Sequence, residues 1–415
     1  MALPDQGLSK EEVLARLGDM RADDKDWRSG RVFSLVFHAG DDVDDVAREA
    51  SVMFLSENAL NPLAFPSVGR MQQDVVDIAA DLFHGGDAAA GFMTSGGTES
   101  LLLAVKAARN RARAERSVAD PNMVITDSAH AAFHKASEYF GVAVRKIPVR
   151  ADWRADVDAM AAAMDDDTVL VVGSAPQYPQ GVIDPIPELA ALAAERDVNC
   201  HVDACMGGFV LPFAERLGRT VPPWDFRVDG VTSISADLHK LGYSPKGASV
   251  LVHRNEELRR HQIFVFDDWL GGFYASSGIA GSKPAGPIAA AWAVLHYLGE
   301  DGYLRLTGQT LDASRALVDG VRAIPGLTVL GEPDAHCVAI AAEDADAVDV
   351  FKVMDALAER GWHLDRQQPP DNLHATVSAG TAPAVDAFLG DLRTCVEETG
   401  AARTADRSTD YATLE

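Results

Sequence analysis

The sequence predicts an α/β fold, a large and mostly parallel sheet covered by helices on both faces, with a smaller C-terminal α+β domain. Two observations carry this. From about residue 74 to about residue 255, β-type runs alternate with helical ones, the arrangement that crossover connections between parallel strands produce. Near residue 300 the alternation gives way to short strand-like runs flanking one helix.

Taken in order, Ser9 and Glu12 have capping-box spacing, and Val13, Leu14 and Leu17 follow as an apolar helical stripe, so a short N-terminal helix is expected. Strands are expected at MVIT (123–126), TVLVVG (168–173), NCHVDA (199–204) and VTSIS (231–235), with the helical run ESLLLAVKAARNRARAE beginning at Glu99. A helical stretch around 289–298 leads into LTVLG, HCVAIAA, a helix through 350–360 and the strand-like LHATVSA. The expected division is an N-terminal segment (1–60), a large domain (61–305) and a small domain (306–415) ending in the polar stretch AARTADRSTDYATLE, read as a frayed tail. The acidic runs 41–45 and 165–167 read as solvated loop charge.

Composition narrows the function. The 415 residues are 47% hydrophobic and 24% charged, ordinary values for a globular chain, and the formal net charge of −25 disfavours nucleic acid and anionic membrane surfaces as partners. Four scattered cysteines, Cys200, Cys205, Cys337 and Cys395, form neither a disulfide framework nor a zinc motif, and no metal site is expected. With no signal-like start and no apolar run of membrane-spanning length, a cytoplasmic location is expected.

Three segments carry chemistry. TSGGTES, at 94–100, places glycines immediately before an apolar helix, where close backbone approach and free N–H groups suit an anion; it matches neither nucleotide-binding glycine fingerprint. In HVDAC, Asp203 ends an apolar strand at the position open α/β sheets use for ligands. In SADLHKLGY, Lys240 lies just beyond another strand among small and apolar residues, where desolvation favours the amine form that Schiff-base chemistry with an aldehyde needs. An anion cradle, a carboxylate and a lysine are together what pyridoxal 5'-phosphate requires: the first for its phosphate, the second for its ring nitrogen, the third for its aldehyde.

The segments TSGGTES, DSAHAAFHKASEYFGV, HVDACMGGF, WDFRVDGVTSISADLHKLGYSPKGAS and DWLGGFYASSGIAGSKP resemble the sphingosine-1-phosphate lyase group of the fold-type I, group II decarboxylase-like enzymes, from about Trp27 to about Leu392. The resemblance implies an aspartate aminotransferase-like fold with pyridoxal phosphate bound to Lys240, its ring nitrogen on Asp203, His130 stacked on one ring face and Cys205 near the other. It places Gly97, Thr98 and His239 on the cofactor phosphate and Gly281 and Ser282 on the phosphate of a neighbouring subunit, hence a homodimer with shared active sites. Lys246 matches a second family lysine near the substrate, Tyr178 lies on the loop after TVLVVG, and Trp269 and Phe273 are expected to pack in the dimer region.

The implied reaction is retro-aldol cleavage of a β-hydroxy amine to an aldehyde and a shorter amine. The alternative is amino-acid decarboxylation, and a catalytically inactive scaffold is a third reading. No arginine stands out in the motif segments to grip a substrate carboxylate, which favours the lyase. The chain departs from the lyases at two positions that lie toward the substrate phosphate: a histidine is replaced by Asn61, and a tyrosine by Phe37. Asn61 cannot become cationic and Phe37 has no donor, so the expected substrate is a β-hydroxy amine or β-hydroxy amino acid, unphosphorylated ones included, with poor use of sphingosine 1-phosphate.

Overall fold

A computed structural model describes residues 3–409 and 411. Seven strands form the main sheet: β1 (Ala90–Thr94), β2 (Asn122–Thr126), β3 (Ala143–Ile147), β4 (Thr168–Ser174), β5 (Asn199–Asp203), β6 (Val231–Ala236) and β7 (Ser249–His253), in the order β1-β7-β6-β5-β4-β2-β3. All neighbours pair parallel except β7, which runs antiparallel to both β1 and β6. Strands β2, β4 and β5 are buried along their whole length, which is why they read as nearly unbroken apolar runs. Because β7 alone is reversed, the C-terminal ends of β1, β2, β4, β5 and β6 open on one edge of the sheet.

Helices cover both faces. Gly97–Arg116 and Ala132–Phe140 bury Leu101, Val105, Phe133 and Ala136 against Met123, Ile125 and Leu170 on one side. Pro66–Leu82, Ile186–Glu195 and the first part of Gly286–Arg322 pack on the other, around Val75, Phe83, Leu189, Ile234 and Val294. The helix 286–322 is kinked at Gly299, whose φ of 55° and ψ of −173° no helical residue adopts.

The strands β8 (Phe264–Phe266) and β9 (Tyr274–Ser276) form a hairpin outside the main sheet. A second sheet, in the order β10-β11-β13-β12, comprises β10 (Leu327–Val329), β11 (Cys337–Ala342), β12 (Asp365–Gln367) and β13 (Asn372–Thr376), all antiparallel. Helices Val350–Glu359 and Val385–Thr399 close its core with Phe351, Leu357 and Phe388. The N-terminal segment has no core of its own: Phe33 is buried in the small-sheet core, while Val43 and Ala47 join the main one.

Three expectations are corrected. The run 41–45 is the first turn of helix Asp41–Met53, where acidic side chains face the positive end of the helix dipole and Asp41 and Asp44 accept from Arg28. Asp165 is not loose loop charge, since Asn122, Thr168 and Arg145 donate to it and hold its pKa down to about 2. The tail is not frayed through 409: Arg407 donates to both oxygens of buried Asp349 at 2.9 and 2.8 Å, and Arg366 reaches Asp406 at 3.1 Å. Its polar composition hid four ion pairs, the others being Arg403 with Asp346 and Arg407 with Asp371; positions 410 and 412–415 of that stretch lie outside the described residues. Ser9 and Glu12 do form the capping box of helix Lys10–Met20, although Val13, Leu14 and Leu17 remain exposed.

Candidate active site

At the open edge, the ends of β1, β5 and β6 and the loop after β2 surround a cavity of about 290 Å³ lined by residues that include Gly96, Gly97, Thr98, His130, Asp203, Cys205, Asp237, His239, Lys240 and Tyr411. A chamber of about 590 Å³ adjoins it, sharing His130 and Tyr411 and reaching Tyr178, Asp365 and Arg366. The smaller cavity thus gathers the three segments that the sequence singled out.

One wall of this cavity is the start of helix Gly97–Arg116. Its first N–H groups have no acceptor within the helix, and no side chain caps them. A Cβ at Gly97 would lie 2.7 Å from Asp237 Oδ2 and 2.9 Å from Cys205 Sγ, so only glycine leaves this wall open. Glu99 holds the turn in shape by accepting from Ser95 N and Oγ at 2.7 Å and, with its other oxygen, from Ile279 N at 2.7 Å.

Asp203 forms the floor at the end of β5. Its Oδ1 accepts from Cys205 N at 3.1 Å and from Ser235 Oγ at 3.4 Å. His130 stands at the side, its Nδ1 accepting from Ala132 N at 3.1 Å, which leaves Nε2 to face Tyr411 Oη at 3.2 Å. Burial pushes its pKa below the ordinary value and so favours the neutral ring.

Lys240 differs from expectation. Burial opposes its ammonium, but Asp237 Oδ2 lies 2.9 Å from Nζ and more than offsets that, so its pKa is raised rather than lowered. The partner is three residues earlier in the same SADLHK segment, where the sequence reading gave it no role. Burial disfavours the Asp237 carboxylate too, yet Lys240 and His239 hold its pKa below the usual value. Asp237 Oδ1 is buried without a hydrogen-bond partner among the described residues.

Lys246 donates to the His239 carbonyl at 2.9 Å and sits 4.9 Å over the Phe37 ring. Partial burial, with Lys240 nearby, lowers its pKa to about 8. None of Lys246, Phe37 and Asn61 lines either cavity; Lys246 is tied to it only through the carbonyl of His239, which does. Asn61 caps its own turn, accepting from Leu63 N at 3.0 Å.

Tyr178 lies in the larger chamber, donating to Asp365 at 2.6 Å and packing on His374 at 3.9 Å between ring centroids. Burial raises its pKa and keeps the phenol protonated. Gly281 and Ser282 do not line the cavity of their own chain; Ser282 Oγ accepts from Asn58 Nδ2 at 3.1 Å. Trp269 and Phe273 are exposed beside the β8–β9 hairpin.

Sequence reasoning missed Asp237, Tyr411 and the pair His201–Ser235 beneath Asp203. Only Asp237 carried a signal, its spacing from Lys240. Outside the pocket, His38, Asp41 and Asp44 approach as three possible metal ligands, but both carboxylates are already paired with the Arg28 guanidinium.

The donor set fits pyridoxal phosphate: a glycine-walled helix start for an anion, a strand-end carboxylate, an unpartnered buried carboxylate oxygen and a lysine within one cavity. The pyridoxal-dependent decarboxylase conserved domain matches residues 21–342, and the chain belongs to that family. Sphingosine-1-phosphate lyase of Oryza sativa is 42% identical over 403 residues, covering 95% of this chain and 74% of the relative. The solved sphingosine-1-phosphate lyase of Burkholderia pseudomallei superposes with a TM-score of 0.92 at 41% identity, covering 96% of this chain and 92% of that one. A probable L-aspartate decarboxylase of Pyrococcus furiosus is 32% identical over 365 residues, covering 88% of this chain and 95% of the relative. Within the family, this chain is a pyridoxal-phosphate-dependent lyase of the sphingosine-1-phosphate lyase type. The expected fold class stands.

Proposed function

We propose that the protein cleaves the Cα–Cβ bond of a β-hydroxy amine or β-hydroxy amino acid, giving an aldehyde and a shorter amine. The observation that carries this reading is the gathering of Lys240, Asp203, His130 and the Gly97 helix start in one cavity, in a chain 41% identical to a solved lyase.

Pyridoxal phosphate supplies the sink for the electrons released when a bond to the substrate's α-carbon breaks. When it is bound, Lys240 would hold it through its aldehyde, Asp203 would keep its ring nitrogen protonated, and His130 and Cys205 would bound its ring. Gly97, Thr98 and His239 would receive its phosphate. Asp237 anchors the free Lys240 ammonium. The β-hydroxyl gives its proton to a base, Cβ becomes the aldehyde carbon, and Cα takes up a proton. Lys246, with a pKa of about 8, can hold or release a proton near neutrality beside the His239 carbonyl. Tyr178 borders the substrate chamber.

We also place the protein as a homodimer. Gly281 and Ser282 lie outside their own chain's cavity, and Phe264, Phe266, Trp269, Leu270 and Phe273 expose an apolar surface nearby in sequence. Mixing Lys240→Ala with Ser282→Asp subunits should restore some activity if Ser282 serves the partner's cofactor; no gain over the two parents counts against it. A cytoplasmic location accords with the four free cysteines, and among the described residues no helix is long and apolar enough to cross a membrane.

Decarboxylation is the second reading, favoured by the Pyrococcus relative. Against it, no arginine lines the smaller cavity, and Arg366 in the larger one is committed to Asp355 and Asp406. Incubating the holoenzyme with β-hydroxy amines and amino acids while assaying aldehyde and carbon dioxide in parallel separates the two. Aldehyde without carbon dioxide supports the lyase. Asn61 and Phe37 line neither cavity of their own chain and supply no cation for a phosphate, so an unphosphorylated substrate should be used at least as well as sphingosine 1-phosphate; if Asn61 faces the site of the neighbouring subunit, Asn61→His should shift preference toward phosphorylated substrates.

A further inference from the structure

We propose that His201 is a positioning residue that acts through Ser235 to orient the Asp203 carboxylate. The inference rests on the reading of Asp203 as the partner of the cofactor's ring nitrogen and extends it one layer beneath the cavity.

The arrangement follows from strand register. On the parallel pair β5–β6, His201 stands beside Ser233 and Asp203 beside Ser235. Side chains two apart on a strand share a face, so these four form a closed polar ladder inside the sheet. His201 and Ser235 are fully buried, and the Phe133 ring meets the imidazole edge-on at 6.2 Å between centroids. His201 Nδ1 lies 2.9 Å from Ser233 Oγ and Nε2 lies 3.1 Å from Ser235 Oγ. Ser235 Oγ lies 3.4 Å from Asp203 Oδ1, and Cys205 Sγ is 3.4 Å from the same hydroxyl.

Proton counting fixes the direction. Burial lowers the His201 pKa to about 4, so at neutral pH the ring has one N–H and one lone pair. Ser235 has a single hydroxyl proton. If Ser235 gave it to His201, an oxygen lone pair would face the Asp203 carboxylate. The favourable order is Ser233 donating to Nδ1, Nε2–H donating to Ser235, and Ser235 donating to Asp203. The Ser235 hydroxyl and the Cys205 N–H then share Oδ1, while Oδ2, which has no hydrogen-bond partner among the described residues, stays available to the cavity. The imidazole thus sets the rotamer of a serine, and the serine sets the plane of the carboxylate.

The test compares holoenzyme variants. Ser235→Ala removes one oxygen, and His201→Phe removes both ring nitrogens, the acceptor and the donor; Ser235→Thr and His201→Gln keep a hydroxyl and a donor and should rescue. The expected result is a fall in kcat of about 5- to 10-fold for Ser235→Ala with KM within about twofold. The pH midpoint of the cofactor's visible band should move as well. In an Asp203→Asn background the same substitutions should cost nothing further, because the path ends at that carboxylate. Losses that multiply in that background, or an unchanged kcat in Ser235→Ala, overturn the proposal while leaving Asp203 in its role. Near-normal turnover of Asp203→Asn itself would instead overturn the reading on which the proposal rests. Should His201→Phe fail to fold, Ser235→Ala alone decides.

Discussion

The floor and the roof of the site are built on different plans. The floor is local: Asp203 ends β5, Asp237 and Lys240 follow β6 directly, and Gly97 starts the helix after β1. Each is held by a strand end within a few residues of it. The roof is assembled from remote parts of the chain: Tyr178 from the loop after β4, Asp365 from β12, and Tyr411 from the tail, whose OH meets His130 at 3.2 Å. A rigid, buried floor suits covalent and proton chemistry, which tolerates little displacement. A roof made of contacts between the two sheets and the tail can vary with the substrate while the chemistry stays fixed.

The largest effect should come from the floor. Lys240→Ala should remove the visible cofactor band and lower turnover on the order of a thousandfold or more, since no other amine lines the cavity to form a Schiff base. Borohydride trapping and peptide mapping should find the cofactor on this residue, and a label on Lys246 would move the centre of the site. Asp203→Asn should keep the fold but lose about a hundredfold in kcat, because a neutral amide cannot hold the ring nitrogen protonated.

Roof variants should cost less and act mainly on KM. Tyr178→Phe removes the donor to Asp365, a hydrogen bond to a charged group worth about 1.5 kcal/mol, or roughly tenfold. If this variant lost as much kcat as Asp203→Asn, the division between floor and roof would fail. On the His239 carbonyl, Lys246 should shift from ammonium to amine as pH rises through about 8, giving kcat/KM a limb there. A pH profile of Lys246→Gln should lack that limb; its persistence would assign the limb to another group.

The smallest effect concerns the tail. Arg407→Ala should lower stability by about 1 kcal/mol, because buried Asp349 keeps its donors Phe351 N and Thr404 N but loses its cation. Chemical denaturation of the holoenzyme would measure it, and no change would mean that the tail is held by other contacts.

Much of the floor was legible in the chain. Strand-end residues inherit their position from a pattern confined to ten or fifteen residues, so the period of apolar positions before Asp203 and Lys240 placed both at the open edge. The capping box at Ser9 and the parallel core strands were readable for the same reason. The charge state of Lys240 was not. The sequence shows a lysine among small residues, but whether burial or Asp237 wins depends on a 2.9 Å distance set by how the chain turns after β6.

What the sequence by itself determined is the order of the elements and the identity of the reactive groups, because helix starts, strand ends and residue chemistry are local properties. What only the tertiary structure decided is which distant groups share a cavity. Ser235 lies beneath Asp203 because of parallel register, Tyr178 meets Asp365 because the small sheet packs against the loop after β4, and Tyr411 meets His130 in a tail that Arg407 ties to a buried aspartate. Those contacts join residues 32, 187 and 281 positions apart. No periodicity in a chain encodes separations of that kind; packing of the whole molecule does.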